Sequence, residues 1–144
     1  RMHHCMRLIG AGQRCLELAC QRVEDRETFG KKLTEHQSIR ENIAKSYAEL
    51  EMARLLVHKT CWHIDHHGVK PSIELISATK ISVPLMIQAI IDRCMQMHGA
   101  GGLTEDWCMA EQFNYARWCR QADGPDEVHQ MALGKRIIQQ YAEG

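Results

Sequence analysis

Residues 72–97 read SIELISATKISVPLMIQAIIDRCMQM, and apolar side chains fall on nearly every face of the helix that this stretch would form. A helix apolar on one side needs one partner surface. One apolar nearly all round, through Ile73, Ile76, Ile81, Leu85, Ile87, Ile90 and Ile91, has to be the central and most buried helix of its domain. Pro84 in its middle predicts a kink. Ser82, Pro84 and Gln88 interrupt the longest apolar run, near 81–91, which reads as too short and too polar to span a bilayer.

The flanking sequence supplies partners of the same kind. Met2, Cys5, Met6, Ile9, Leu16, Cys20 and Val23 recur at three-and-four spacing and predict a helix over about 2–25, with Gly10 and Gly12 permitting close helix contact. Ser38 followed by Glu41 reads as a capping box opening a second helix, striped by Ile39, Ile43, Tyr47, Leu50, Val57, Cys61 and Ile64 and ended by Gly68. Thr104 is the expected cap of a fourth helix to about Gln121. Pro125 suits the first position of a fifth, to about Tyr141, with Asp126 and Glu127 at its positive end. Strand-like alternation is scarce, so the expected class is all-α, an antiparallel bundle of about five helices joined by short loops. The 144 residues fit one domain. The opening RMHHCM is already in helical register without a start methionine, the expectation for a piece of something longer.

Charge excludes some partners. Eighteen basic residues balance eighteen acidic ones, interspersed along the chain, so no net field draws in nucleic acid or an anionic membrane. Seven cysteines form no C-x-x-C pair and lie mostly inside helical patterns, which suits reduced core residues in a reducing compartment. In HIDHH (63–67), His63 and His67 could share a helical face as metal ligands, yet no third ligand is identifiable, and histidines also suit the negative end of a helix; no metal is expected. HGAGG (98–102) follows a helix rather than a strand, so it is neither a P-loop nor a dinucleotide fingerprint, although its glycines would let backbone approach a cofactor or another chain. Arg26 could grip a diphosphate and Phe29 wall a flat ring, although on local grounds a surface arginine with a staple-like phenylalanine is the better reading. Asp123 reads locally either as a helix cap or as a carboxylate that does chemistry.

Taken in order, Arg26-x-x-Phe29-Gly30, His36-Gln37, Gln96-x-x-Gly99 and an acidic residue before Gly124 resemble the C-terminal domain of the acyl-CoA dehydrogenases, across essentially the whole chain. The run Ala122-Asp123-Gly124-Pro125-Asp126-Glu127-Val128-His129 is closest to the branch of family members ten and eleven. The resemblance implies an FAD-dependent α,β-dehydrogenation of acyl-CoA thioesters in fatty-acid β-oxidation, with electron-transfer flavoprotein as acceptor, in a mitochondrial or peroxisomal homo-oligomer (a dimer or a dimer of dimers). It implies Asp123 as the base, and Arg1 and Gly124 near the substrate. Arg26 would meet the FAD diphosphate and Phe29 and Gln37 its adenosine part, typically in a neighbouring subunit. Gln96, Met97, His98, Gly99 and Ala100 would present backbone to that same cofactor, and Pro125 and Glu127 would also lie at a flavin.

Four positions depart from the family pattern. Asp123 stands where glutamate is usual, one methylene longer; Pro125 replaces a Thr or Ser, Glu127 a common glutamine and Ala100 a common glycine. Some members carry their base just before the position of Arg1, outside this sequence. The other reading is a non-catalytic helical module that keeps the bundle for oligomerisation or partner binding.

Overall fold

The computed structural model describes residues 1–143. Five helices carry the fold: α1 (Met2–Asp25), α2 (Gln37–His67), α3 (Ile73–His98), α4 (Met109–Cys119) and α5 (Asp126–Ala142). A two-residue hairpin, β1 (Glu27–Thr28) with β2 (Lys31–Lys32), links α1 to α2, and short 3-10 turns follow at Leu33–Glu35 and Gly99–Leu103. The class is all-α, as the apolar periodicity requires.

Helix α3 lies at the centre, in contact with α1, α2, α4 and α5. Ile87, Ile90 and Ile91 have no exposed surface. By length and composition it is also the one described helix apolar enough to cross a membrane, with a mean hydropathy of 1.4 over its most apolar window. Here 44% of that window is buried, against α1, α2, α4 and α5. The helix continues through Pro84.

Sequence neighbours are antiparallel. Thr60 of α2 meets Thr79 of α3 at 2.7 Å, while Ser46, further up α2, accepts a hydrogen bond from Arg93 near the end of α3. Helices α1 and α3 run the same way, because Cys5 reaches the Thr79 carbonyl and Gly12 lies against Ile87. A Cβ at Gly12 would stand 3.0 Å from the Ile87 side chain, so this close approach depends on glycine; Gly10 has nothing within 4 Å and plays no such part.

Several expected boundaries move. Helix α2 starts at Gln37 with His36 at its cap, and Ser38 is already inside; Glu41 accepts from the Gln37 amide at 2.7 Å instead of closing a capping box. Thr104 bonds the Gly101 carbonyl and Asp106, holding a turn, and α4 begins five residues later. Pro125 is the cap of α5 rather than its first helical residue. The buried face of α2 is Ser46, Leu50, Ala53, Val57 and Thr60, while Tyr47 is exposed; on α1, Met6 and Cys20 are exposed and Leu8, Cys15 and Ala19 are buried in their place. Small polar residues with a hydrogen-bond partner can line a helix interface, and that is invisible to a count of large apolar side chains.

Candidate functional site

The turn between α4 and α5 is built to hold an unusual backbone. Asp123 and Gly124 both have positive φ, 58° and 105°. The loop is closed by the Asp126 amide, which donates to the Arg120 carbonyl at 3.1 Å. The Asp123 carbonyl accepts from His129 Nε2 at 3.1 Å and from Arg1 Nε at 3.3 Å. Gly124 is required twice, since its φ disfavours a side chain and a Cβ would stand 2.9 Å from His129 Nε2.

The Asp123 carboxylate caps no helix: α5 has no side-chain cap, and Asp123 lies two residues before the cap position. It points instead towards the start of α1. Its Oδ2 is 3.3 Å from His4 Nε2 and 3.4 Å from the Arg1 backbone nitrogen. The structure thus brings Asp123, Gly124 and Arg1 together, and adds His4.

Beneath this turn is a buried ionic cluster. Asp126, 6% exposed at its side chain, lies between Lys80 of α3, 2% exposed, at 3.6 Å and Arg120 at 2.7 Å; Arg120 also donates to Gln88 at 3.2 Å. Among the described residues, Lys80 Nζ and Asp126 Oδ1 are buried without a hydrogen-bond partner. Lys80, like His4, is not marked by any motif in the sequence. A lone lysine in an otherwise apolar helix was the available signal, because such a side chain needs a buried counter-charge.

A second set of residues gathers at the far end of α3. A cavity of about 440 Å³ is lined by Arg22, Arg26, Thr28, Leu33 and the run Gln96–Gly101. Gly99 has φ 63°, so the chain turns out of α3 there and exposes backbone. Gly102 packs on Met95, whose carbonyl oxygen would be 2.7 Å from an added Cβ. His98 Nδ1 donates to the Cys94 carbonyl; its Nε2 is buried without a partner among the described residues, and burial pushes its pKa down. Two arginines, free backbone and an unpaired ring nitrogen make a cradle for an anionic, hydrogen-bonding ligand.

Phe29 and Gln37 do not line that cavity. Phe29 sits at the hairpin tip, 98% exposed, with Gly30 beside it at positive φ, the requirement of a two-residue type I′ turn. Gln37 is exposed and spends its amide on Glu41. Pro125 and Glu127 flank the Asp123 turn, not the cavity. From Lys80 to His98 is 18 residues of α3, a separation of about 27 Å at 1.5 Å per residue. Apart from Phe29 and Gln37, the expected site residues therefore form two groups, one beside Lys80 and one at the C-terminal end of α3. His63 and His66 bond Ser72 and the Trp62 carbonyl, which accounts for the histidines at the end of α2.

Residues 1–138 match the family described as acyl-CoA dehydrogenase, C-terminal domain. Acyl-CoA dehydrogenase family member 10 of Mus musculus is 47% identical over 135 residues, 94% of this chain and 13% of that protein. Acyl-CoA dehydrogenase family member 11 of Gallus gallus is 43% identical over 135 residues, 94% of this chain and 17% of the relative. A solved structure described as an acyl-CoA dehydrogenase from Mycobacterium abscessus superposes with a TM-score of 0.94 at 40% identity, covering 96% of this chain and 34% of that one. This chain thus spans a minor part of each relative's length, and over that part it belongs to the acyl-CoA dehydrogenases as their C-terminal helical domain.

Proposed function

We propose that this chain is the C-terminal bundle of a flavin-dependent acyl-CoA dehydrogenase in which Asp123 removes the proton from the carbon next to the thioester carbonyl. The observation that carries this reading is the turn itself: Asp123 is held at positive φ, capping nothing, with its carboxylate turned towards His4 of α1. A backbone position that disfavours side chains, held by His129 and Arg1, is the kind of strain found where a side chain must be aimed. Arg1 is placed to meet an anionic part of the substrate, and Gly124 leaves room beside the carboxylate.

FAD, once bound, supplies the acceptor for the hydride leaving the next carbon. Arg26 and the Gln96–Ala100 backbone suit its anionic portion, supported by the arginine-lined cavity, and Phe29, exposed on its hairpin, is free to cover a flat ring contributed elsewhere. Pro125 and Glu127 border the reacting end. Because the two groups lie about 27 Å apart along α3, one chain serves two flavins: its Asp123 works at one and its Arg26, Phe29 and Gln37 at that of a neighbouring copy. The working unit is then a homo-oligomer, a dimer or a dimer of dimers. Aspartate in place of glutamate brings backbone or substrate closer by about one bond length to keep proton transfer within hydrogen-bond range. Electron-transfer flavoprotein as acceptor, fatty-acid β-oxidation as the setting and a mitochondrial or peroxisomal location complete the proposal.

The test is to purify the full-length protein with FAD and mix it anaerobically with acyl-CoA thioesters of varied chain length. Bleaching of the oxidised flavin band with release of the α,β-unsaturated product is the expected result. An FAD-loaded protein that bleaches with none of them would refute the dehydrogenase reading and favour the interaction module.

A further inference from the structure

The Asp123 carboxylate has a partner that the reaction described above does not require. His4, one turn into α1, places Nε2 3.3 Å from Asp123 Oδ2. Its other nitrogen, Nδ1, is 2.9 Å from Arg7 Nη2 and 3.4 Å from the Tyr115 hydroxyl. An arginine can only donate, so Nδ1 must accept, and the ring proton of the neutral imidazole sits on Nε2, directed at the carboxylate. The ring plane is held as well: Trp118 packs edge-on at 5.4 Å, Tyr115 stacks on Trp118, and Arg7 lies over Tyr115 at 5.9 Å. Beside the carboxylate stand His4 of α1 and Arg1 just before that helix, whose Nε donates to the Asp123 carbonyl, and the Cys119 thiol of α4 is close enough to feel its charge. Those facing His4 are Asp123, Arg7 and Tyr115.

We propose that His4 is a positioning residue for Asp123: it donates Nε2–H to Oδ2 and so leaves Oδ1 to take the substrate proton, while Arg7 fixes the tautomer that makes this possible. The inference rests on Asp123 being the base. An aspartate aims its carboxylate by two side-chain torsions, and one anchored oxygen fixes the direction of the other. No proton passes to His4. The arrangement is an oriented base with a third group behind the orienter, here Arg7–His4–Asp123.

The experiment uses full-length, FAD-loaded protein and four variants, His4→Phe, His4→Gln, Arg7→Met and Asp123→Asn, followed by the rate of flavin bleaching, KM and the pH profile of kcat/KM. His4→Phe should bleach about tenfold to a hundredfold more slowly, the scale of one lost hydrogen bond to a charged group. KM should stay within about twofold, since truncating an orienter removes no substrate contact. The acid limb of the profile should move to higher pH, because the lost donor favoured the ionised base. His4→Gln, whose amide can still donate, should recover most of the rate. Arg7 is exposed, so Arg7→Met leaves the core intact and should slow bleaching while the flavin stays bound. Normal bleaching rates and unshifted acid limbs in both His4→Phe and Arg7→Met, with Asp123→Asn inactive, would overturn the role of His4 and leave the base assignment standing. Normal bleaching by Asp123→Asn would overturn both.

Discussion

Replacing Asp126 by Asn should be among the most damaging single changes in this domain, and the reason lies on a different element. Asp126 is the counter-charge nearest Lys80, whose side chain is 2% exposed in the centre of the bundle. Two unit charges 3.6 Å apart at an effective dielectric of 20 attract by about 5 kcal/mol. Removing one partner of a buried pair typically costs about 3–5 kcal/mol, because the survivor is left desolvated. Arg120, 29% exposed, can turn towards water, but Lys80 cannot. At about 2–4 °C per kcal/mol, the midpoint of thermal unfolding should fall by roughly 6–20 °C. Lys80→Met should be far milder, since the carboxylate keeps Arg120 at 2.7 Å and the methionine fills an apolar site. In the double variant Lys80→Met, Asp126→Asn, most of the Asp126→Asn loss should return. Denaturant and thermal unfolding of the four proteins, followed by far-ultraviolet circular dichroism, closes the cycle. A loss below about 1 kcal/mol for Asp126→Asn, or a double variant equal to the sum of the singles, would refute the buried-cluster argument.

Gly102→Ala should destabilise by about 1–3 kcal/mol in the same assay, because its Cβ would meet the Met95 backbone at 2.7–2.9 Å, and backbone yields less readily than a side chain; an unchanged midpoint would contradict this. Stability should also form a plateau in pH. Burial pushes the Cys5 and Cys94 thiols from 9.0 up to about 12, so their contribution is full below pH 9 and is lost as pH rises towards 12. Burial lowers the pKa of His98 from 6.5, so its contribution is present above 6.5 and is lost as pH falls through the lowered value; a midpoint that stays flat through both limbs would count against these assignments. The isolated 144-residue chain should give a helical circular dichroism spectrum yet copurify without FAD, since its cradle offers only part of an anion-binding surface; stoichiometric flavin on the isolated chain would contradict that.

The number, order and approximate extent of the helices were legible because Ile76, Ile87, Ile90 and Ile91 mark α3 as a core helix, and the glycines at 68 and 99 end α2 and α3 at positive φ. Helix starts were not, because Ser38 and Thr104 are good caps whose side-chain bonding is decided by their neighbours. The Thr104 hydroxyl goes to Gly101 and Asp106, and Gln37 takes the Glu41 that Ser38 was to share. The residues of the Asp123 turn were legible as a motif, but their geometry was not: a positive φ at Asp123 depends on His129 and Arg1, 6 and 122 residues away. Lys80 and His4 escaped for the same reason. The lone lysine of α3 signals a buried counter-charge but not which one, His4 is an ordinary polar residue in a helical pattern, and only the fold shows what each faces.

The single-turnover rate of flavin bleaching in full-length Asp123→Asn tests the proposed role of Asp123 most directly. Asn keeps the shape and the turn, so the variant should fold, retain FAD and bind acyl-CoA, while the bleaching rate falls by roughly a hundredfold to ten-thousandfold, the contribution expected of a general base. Asp123→Glu, which restores the family's usual length, should stay active or shift its preferred chain length. Bleaching by Asp123→Asn at the unsubstituted rate would contradict the central claim and return the base to the position preceding Arg1.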